Sequence, residues 1–299
     1  MTNPAPSTVG PIRSFGIELE CVNITRMGAQ RAVADATGGT IGIDSKGRRA
    51  VILADGRMWL CVSDGSLNPR LESCEVVSPI LTWVDMPMVE AVTKALKNAG
   101  ATVDDSCGMH VHVDARDIKN SGAQLANVVK LAAKYEALYL NGLNVSDARK
   151  SNQYCPPLTV KRPTAATELS VKMTATAVKL AWYQTTSEET AAYRANDHYN
   201  SHYAAYSRYC GVNLHAVWNK GTVEFRYFAG TLDFATIEEC VALMVGLVVM
   251  ATRYSEVPKG VVNPTDKKAW KWLVKWTGVP KGPAKRLVSR FPENVAAAA

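Results

Sequence analysis

The chain has 299 residues, 47% of them hydrophobic, and carries 34 Lys and Arg against 27 Asp and Glu, a formal net charge of +7. This size and apolar content can bury a large core, in one big domain or in two. The chain has seven cysteines, an odd number, and none of them forms a Cys-x-x-Cys pair, which argues against a disulfide framework. We therefore expect the cysteines to be buried and to pack as small apolar side chains, in a protein of the reducing cytoplasm. Residues 1–10 lack the basic start and apolar run of a signal peptide, and the longest apolar run, Cys240–Ala251, contains Gly246 and is too short for a membrane span.

The first elements of the chain alternate acidic and apolar side chains. Residues 1–12 form a loose lead-in, and residues 15–20 predict a strand with Glu18 and Glu20 on one face. Residues 29–62 look like an insertion. It contains a short helix near residues 30–36 and a hairpin around residues 44–47. Asp64 and Ser66 belong to a turn, and Glu75 begins a further strand.

The most informative segment is the predicted strand at residues 107–114. Side chains at alternate positions share a face of a strand, so His110, His112 and Asp114 project together, opposite two valines. Burying such a polar face is costly unless a metal, a ligand or hydrogen bonds satisfy it. A helix over residues 85–99, ended by Gly100, precedes this strand.

The second half of the chain is mainly helical. The apolar spacing predicts helices over residues 121–140, 167–183 and 237–254, the last with a capping box formed by Thr236 and Glu239. Residues 184–207 are polar and aromatic. They are interpreted as a lid or substrate wall, or as helix packing, which we favour. Between this stretch and the helix predicted over residues 237–254, a predicted strand at residues 222–227 puts Glu224 and Arg226 on one face.

Residues 258–299 carry nine Lys or Arg against Asp266 and Glu293, interleaved with Trp270, Trp272 and Trp276. Basic residues with aromatic rings can bind nucleic acid or an anionic surface. They could also guide an anionic substrate or ATP. We favour a terminal amphipathic helix that packs its tryptophans on the core while its lysines reach solvent.

The acids and the arginine indicate phosphoryl-transfer chemistry. Glu18, Glu20, Glu75 and Glu224 are hard oxygen donors that suit Mg²⁺ or Mn²⁺. Arg226 offers a planar fork for phosphate. The chain has neither a Gly-x-x-x-x-Gly-Lys-Ser/Thr loop nor a Gly-x-Gly-x-x-Gly turn, so the common nucleotide-binding loops are missing.

An ordered set of short blocks resembles the amidoligase family, the carboxylate–amine ligases of the glutamine synthetase and glutamate–cysteine ligase superfamily. The blocks are residues 15–20 (FGIELE), 63–67 (SDGSL), 75–81 (EVVSPIL), 107–114 (CGMHVHVD), 208–213 (RYCGVN), 221–226 (GTVEFR) and 230–233 (GTLD). The resemblance implies an α+β fold, in which a curved, mainly antiparallel sheet lines the active site and helices pack on its outer face. It also implies that ATP phosphorylates a carboxylate and that an amine attacks the acyl phosphate to form an amide.

The resemblance further implies roles for individual residues. Glu20 and Glu75 would hold one metal ion, and Glu18, His110 and Glu224 another. His112 and Arg226 would contact the nucleotide phosphates, and these two residues and Arg208 would be catalytic. The substrate would be bound by Asp64, Ser66, Arg149 and Asn213.

Simpler interpretations remain open for several of these residues. His112 could form a structural hydrogen bond to a neighbouring strand, and Asp64 and Ser66 could be plain turn residues. A surface ion pair is an equal interpretation for Arg149 and Arg208.

Two other functions also remain open. One is a zinc hydrolase that uses His110 and His112, which the excess of carboxylates disfavours. The other is a non-catalytic nucleic-acid-binding protein on a degenerate ligase fold.

From the sequence we expect a catalytic domain over residues 13–257 and a basic segment over residues 258–299. The expected cofactors are ATP and Mg²⁺ or Mn²⁺, and the expected substrates are a carboxylate and an amine, from small molecules or peptides. Membrane contact is not expected, and the sequence leaves the oligomeric state open.

Overall fold

The computed structural model describes residues 13–196 and 208–291. Within them the fold is α+β, as expected, with an open antiparallel sheet of eight strands in the order β2-β3-β4-β5-β1-β6-β8-β7. The strands are Phe15–Val22 (β1), Thr40–Ile43 (β2), Arg49–Ile52 (β3), Met58–Val62 (β4), Ser73–Val77 (β5), Gly108–Asp114 (β6), Val212–Asn213 (β7) and Thr222–Ala229 (β8). The described α-helices are Arg26–Thr37 (α1), Met86–Asn98 (α2), Gly122–Gly142 (α3), Asp147–Lys150, Leu158–Lys161, Ala165–Glu168, Ala175–Tyr183, Glu188–Ala195, His215–Asn219, Phe234–Arg253, Lys267–Trp276 and Lys281–Arg290.

The chain divides into two compact units, and the boundary between them falls inside β6, β8 and the helix Phe234–Arg253. The N-terminal unit contains Ser14–Val111 and Phe228–Val241. Of the described residues, the C-terminal unit contains Arg13, those of His112–Tyr227 and those from Ala242 to Phe291. The domain limits expected from the sequence, at residues 12 and 257, stay a prediction.

In the N-terminal unit, the region expected to be an insertion extends the sheet. Strands β2, β3 and β4 form an antiparallel ladder that joins β5 through β4. The predicted hairpin is confirmed as the β2–β3 turn, where Asp44 Oδ1 accepts hydrogen bonds from the backbone N–H groups of Lys46 and Arg48. The apolar residues of β3 and β4, such as Val51 and Trp59, are fully buried, so these strands belong to the core.

The structure has both helices that were predicted for this part of the chain, but they begin and end at other residues than predicted. α1 begins at Arg26, earlier than predicted, because the Thr25 side chain accepts a hydrogen bond from the Gly28 N–H and caps the helix. α2 runs over Met86–Asn98, and Gly100 follows it with a φ of 91°, the left-handed conformation that favours glycine after a helix.

In the C-terminal unit, α3 is confirmed, with Ser121 as its N-cap. The single helix predicted over residues 167–183 is wrong. The structure has two helices there, Ala165–Glu168 and Ala175–Tyr183, because the chain is extended at Leu169 and the Thr174 side chain caps the second helix by accepting from the Ala177 N–H.

The apolar helix Phe234–Arg253 begins three residues earlier than predicted. Asp233 caps the start of the helix, because its Oδ2 accepts hydrogen bonds from the N–H and the hydroxyl of Thr236. Thr236 therefore lies inside the helix, and the predicted capping box of Thr236 and Glu239 is wrong. The apolar run Cys240–Ala251 lies within this longer helix, whose 20 residues and mean hydropathy of 2.0 in the most apolar window would by length and composition suffice to cross a membrane. That window is 78% buried within the protein, which is typical of a core helix.

Trp270 packs inward, as the favoured interpretation of this segment predicts, while Trp272 and Trp276 are half-buried. Trp270 is fully buried, its ring stacks on Phe291 with centroids 5.4 Å apart, and its Nε1 donates to the Leu287 carbonyl at 2.9 Å. Trp272 stacks on Tyr135 of α3. This segment therefore belongs to the core of the C-terminal unit.

Two further expectations concern cysteines and the aromatic stretch. All seven cysteines are free and buried, as expected. Within residues 184–207 the structure has the helix Glu188–Ala195, on which Tyr193 is exposed. The other aromatic and imidazole side chains of the stretch, at positions 198, 199, 202, 203 and 206, lie outside the described residues, so the proposed lid stays a prediction.

Candidate functional site

The N-terminal unit gathers four carboxylates and one imidazole, which we call the acid cluster: Glu18, Glu20, Asp64, Glu75 and His110. Strands β1 and β5 pair Glu20 directly with Glu75, so these two side chains lie on the same face of the sheet. One ligand atom from each of Glu20, Asp64 and Glu75 lies within 4.8 Å of the others, and the same holds for Glu18, Glu75 and His110. The cluster therefore contains two overlapping groups with the spacing of metal ligands.

Three members of the acid cluster are almost fully buried. Glu18, Glu20 and His110 expose 8%, 3% and 2% of their surface. His110 Nδ1 shares a hydrogen bond with Glu18 Oε2 at 2.9 Å, and its Nε2 lies 3.8 Å from Glu20 Oε1. Glu20 Oε2 also accepts a hydrogen bond from the Gly108 N–H. These bonds fix the carboxylates and the imidazole in place before any ligand arrives.

Glu75 has a strongly raised pKa. The pKa of Glu75 is raised to about 10, first because its carboxyl group is buried and second because the carboxylates of Glu18, Asp64 and Glu20 lie nearby. A carboxyl group with such a pKa is protonated at neutral pH. A bound cation would reverse this effect, since its positive charge favours the ionised carboxylates.

Asp64 has two roles in the structure. Its Oδ1 accepts hydrogen bonds from the N–H and the hydroxyl of Ser66, both at 2.7 Å, which is the turn chemistry weighed for this pair. Asp64 also lies within ligand distance of Glu20 and Glu75. Sequence analysis missed this second role because Asp64 follows β4 in a loop, where strand periodicity gives no signal.

The C-terminal unit has a second polar group centred on a buried carboxylate, which we call the Glu224 cluster: His112, Asn213, Thr222, Glu224 and Arg226. Glu224 is 4% exposed. Arg226 Nη1 donates to Glu224 Oε1, and Asn213 Nδ2 donates to Glu224 Oε2 at 2.6 Å. Glu224 and Arg226 therefore share a face of β8, as predicted.

His112 belongs to the same group. Its Nε2 lies 3.8 Å from Glu224 Oε1, and its Nδ1 shares a hydrogen bond with Thr222 Oγ1 at 2.9 Å. The structural hydrogen bond to a neighbouring strand, which was one interpretation of His112, is therefore present. It uses Nδ1 and leaves Nε2 directed towards the glutamate.

The chain matches a family described as "putative amidoligase enzyme" over residues 11–248. The protein is a member of the amidoligase family. No curated protein gives a significant match to this chain. The match spans all the residues of both clusters, so the ligase-type chemistry of the family applies to the part of the chain that holds them.

Two arginines of this amidoligase occupy different surroundings. Arg149 is 7% exposed and donates from Nη2 to the Arg226 carbonyl at 3.2 Å, while its Nε has no hydrogen-bond partner among the described residues. A surface ion pair is therefore wrong for Arg149. Arg208 is half-buried, with its guanidinium 5.8 Å from the centre of the Tyr209 ring.

Asn213 holds its neighbours with both ends of its amide. While Nδ2 donates to Glu224, Oδ1 accepts from the His215 N–H at 2.9 Å. Asn213 is 2% exposed. In this amidoligase Asn213 thus orients Glu224, and its expected contact with substrate stays a prediction.

The donor set of the acid cluster fits a hard divalent cation. Carboxylate oxygens are the ligands that Mg²⁺ and Mn²⁺ prefer, whereas zinc favours imidazole and thiolate. With four carboxylates to one imidazole, the cluster suits magnesium or manganese.

Proposed function

We propose that this amidoligase is an ATP-dependent carboxylate–amine ligase that forms an amide bond through an acyl phosphate. The observation that carries the proposal is the acid cluster. Burial and the neighbouring carboxylates together raise the pKa of Glu75, and a divalent cation would balance the negative charge that the ionised cluster carries. Divalent cations held by protein carboxylates can in turn bind the phosphates of a nucleoside triphosphate.

Glu20, Asp64 and Glu75 would hold one ion, and Glu18, Glu75 and His110 would provide a second position. When bound, the ions supply charge neutralisation for the phosphate oxygens. The hydrogen bond from Glu18 keeps His110 in one orientation, and the Gly108 N–H does the same for Glu20. The further assignment of Glu224 to the metal shared with Glu18 and His110 stays a prediction.

Arg226 is the group that we assign to the transferring phosphate. Glu224 binds one end of its guanidinium, and Asn213 holds that glutamate from the other side. A guanidinium fixed in this way can stabilise developing negative charge without first reorganising. His112, with Nδ1 bound to Thr222, can offer Nε2 to a phosphate oxygen.

The substrates would be a carboxylate and an amine, from small molecules or peptides. We place the reaction in the reducing cytoplasm, since all seven cysteines are free. A zinc hydrolase built on His110 and His112 is supported less well, because His110 lies among carboxylates.

Release of ADP tests this function. The protein is incubated with ATP, Mg²⁺ or Mn²⁺, and pools of carboxylic acids and amines, and ADP is measured with and without each pool. We expect ADP release that requires the metal and both substrates, and its loss in Glu20→Gln. Glu72→Gln is the matched control, since Glu72 is exposed on the same unit. Substrate hydrolysis that needs zinc and no ATP would contradict the proposal.

A further inference from the structure

The two C-terminal helices expose five lysines, which we call the basic face: Lys268, Lys271, Lys275, Lys281 and Lys285. All five are exposed. Within the part of the chain that the structure describes, none of the five forms an ion pair with an acidic side chain. Asp266 is the sole acid in residues 258–291, and its carboxylate is used to cap the first helix. The positive charge of this face is therefore uncompensated by its own segment.

The apolar side of the same helices is already used. Trp270, Leu273, Val274 and Leu287 are buried in the C-terminal unit. A helix that inserts into a membrane surface needs its apolar face free. The basic face is consequently available for electrostatic binding, and the helices have no apolar face left for insertion into lipid.

Two aromatic rings belong to the same helix as three of the lysines. Trp272 stacks on Tyr135 with centroids 5.8 Å apart and on Trp276 at 5.4 Å, and both tryptophans are half-buried. Lys271 and Lys275 directly precede them in the chain. Single-stranded nucleic acids bind where bases stack on aromatic rings and phosphates meet cations. Trp276 ends the stack of rings that begins at Tyr135, so it is the ring on which a base could stack.

We propose that the basic face binds single-stranded nucleic acid without sequence preference. Three of its lysines, at positions 268, 271 and 275, lie along roughly 10 Å of one helix. Lysine is a point charge that meets phosphates, whereas arginine reads base edges with its fork, so a lysine face favours backbone contact. An acidic polypeptide would use the lysines but not the rings. This inference does not depend on the ligase reaction.

Fluorescence anisotropy with a labelled 20-nucleotide oligothymidylate and the full chain tests the proposal. We expect binding that weakens steeply with salt. The triple variant Lys268→Gln/Lys271→Gln/Lys275→Gln should lose about tenfold or more in affinity at low salt and reduce the salt slope by about 2. The matched control is Lys46→Gln/Lys94→Gln/Lys97→Gln, which removes the same charge from exposed positions of the N-terminal unit.

A second pair of variants tests the aromatic rings. Trp276→Leu should weaken binding about fivefold or more, and Trp276→Phe should retain most of it. Circular dichroism melts show that each variant is folded. The proposal is overturned if the wild type does not bind the oligonucleotide, if both triple variants weaken binding equally, or if Trp276→Leu binds normally. Binding to phosphatidylserine vesicles or polyglutamate but not to the oligonucleotide would also overturn it.

Discussion

Glu75 lies beside three other carboxylates, those of Glu18, Glu20 and Asp64, and all of them raise its pKa. A carboxyl group whose folded-state pKa exceeds its unfolded value binds a proton more tightly when folded. Its contribution to stability is complete below the unfolded pKa, near 4.5, and is lost as the pH rises towards about 10. The metal-free protein is therefore expected to lose stability from this residue across the neutral range.

Glu75→Gln removes the free-energy cost of keeping this carboxyl group protonated in the folded state, and should raise the melting temperature (Tm) of the metal-free protein at pH 8. A gain of about 1 kcal/mol corresponds to about 2 °C for a protein of this size. Calorimetry in EDTA from about pH 5 to about pH 9 measures the effect, and the wild-type Tm should fall more steeply with pH than that of the variant. Parallel pH profiles for the two proteins would contradict the assigned repulsion.

Arg226 offers a different test at the residue scale, because its ion pair with Glu224 could serve catalysis or the fold. Arg226→Lys keeps the charge but loses the two-pronged geometry. If Arg226 stabilises the transferring phosphoryl group, the rate of acyl-phosphate formation should fall by about 10²–10³ with little change in Tm. The control is Arg70→Lys, at an exposed arginine. Unfolding of Arg226→Lys, with normal specific activity in the folded fraction, would make the pair structural.

At the scale of elements, the C-terminal helix Lys267–Trp276 packs against the end of α3 without room for a methyl group. A Cβ on Gly142 would lie 2.5 Å from the Trp270 ring, so glycine is required by this close approach. The contact explains why the tryptophan-rich segment is part of the core and does not form a separate arm.

Gly142→Ala should therefore destabilise the protein by about 1–3 kcal/mol, as overpacking does elsewhere. Urea unfolding followed by tryptophan fluorescence measures the loss. Gly282→Ala is the matched control, since a Cβ there meets its nearest atom at 3.9 Å. It should leave the stability unchanged or slightly higher, because alanine favours a helix. Equal losses in the two variants would show that the Trp270 contact does not limit the packing.

At the scale of the whole molecule, the acid cluster couples metal binding to folding. A ligand that binds the folded state alone stabilises it by about 2.7 kcal/mol at a hundred times its Kd. We expect Mn²⁺ to raise the Tm of the wild type by about 4 °C at that concentration. Glu20→Gln should lose most of this rise while Glu72→Gln keeps it. A rise of the same size in Glu20→Gln would place the metal elsewhere.

The sequence by itself determined the strands that carry the site and the chemistry that they offer. Alternation of side chains placed Glu18 with Glu20 and Glu224 with Arg226, since strand geometry is local and has a period of two residues. The resemblance of the ordered blocks to amidoligases was confirmed by the family match. The burial of Trp270 was also predicted, because an amphipathic helix shows its apolar face in its spacing.

Only the tertiary structure decided which residues meet across distant elements. Asp64 joins the acid cluster from a loop, and Arg149 reaches the backbone of Arg226, 77 residues away in the chain. The ends of the helices also depended on particular hydrogen bonds, such as those of Asp233 and Thr174. Local patterns report the periodicity of one element, whereas ligand distances, helix caps and raised pKa values arise from the packing of several elements together.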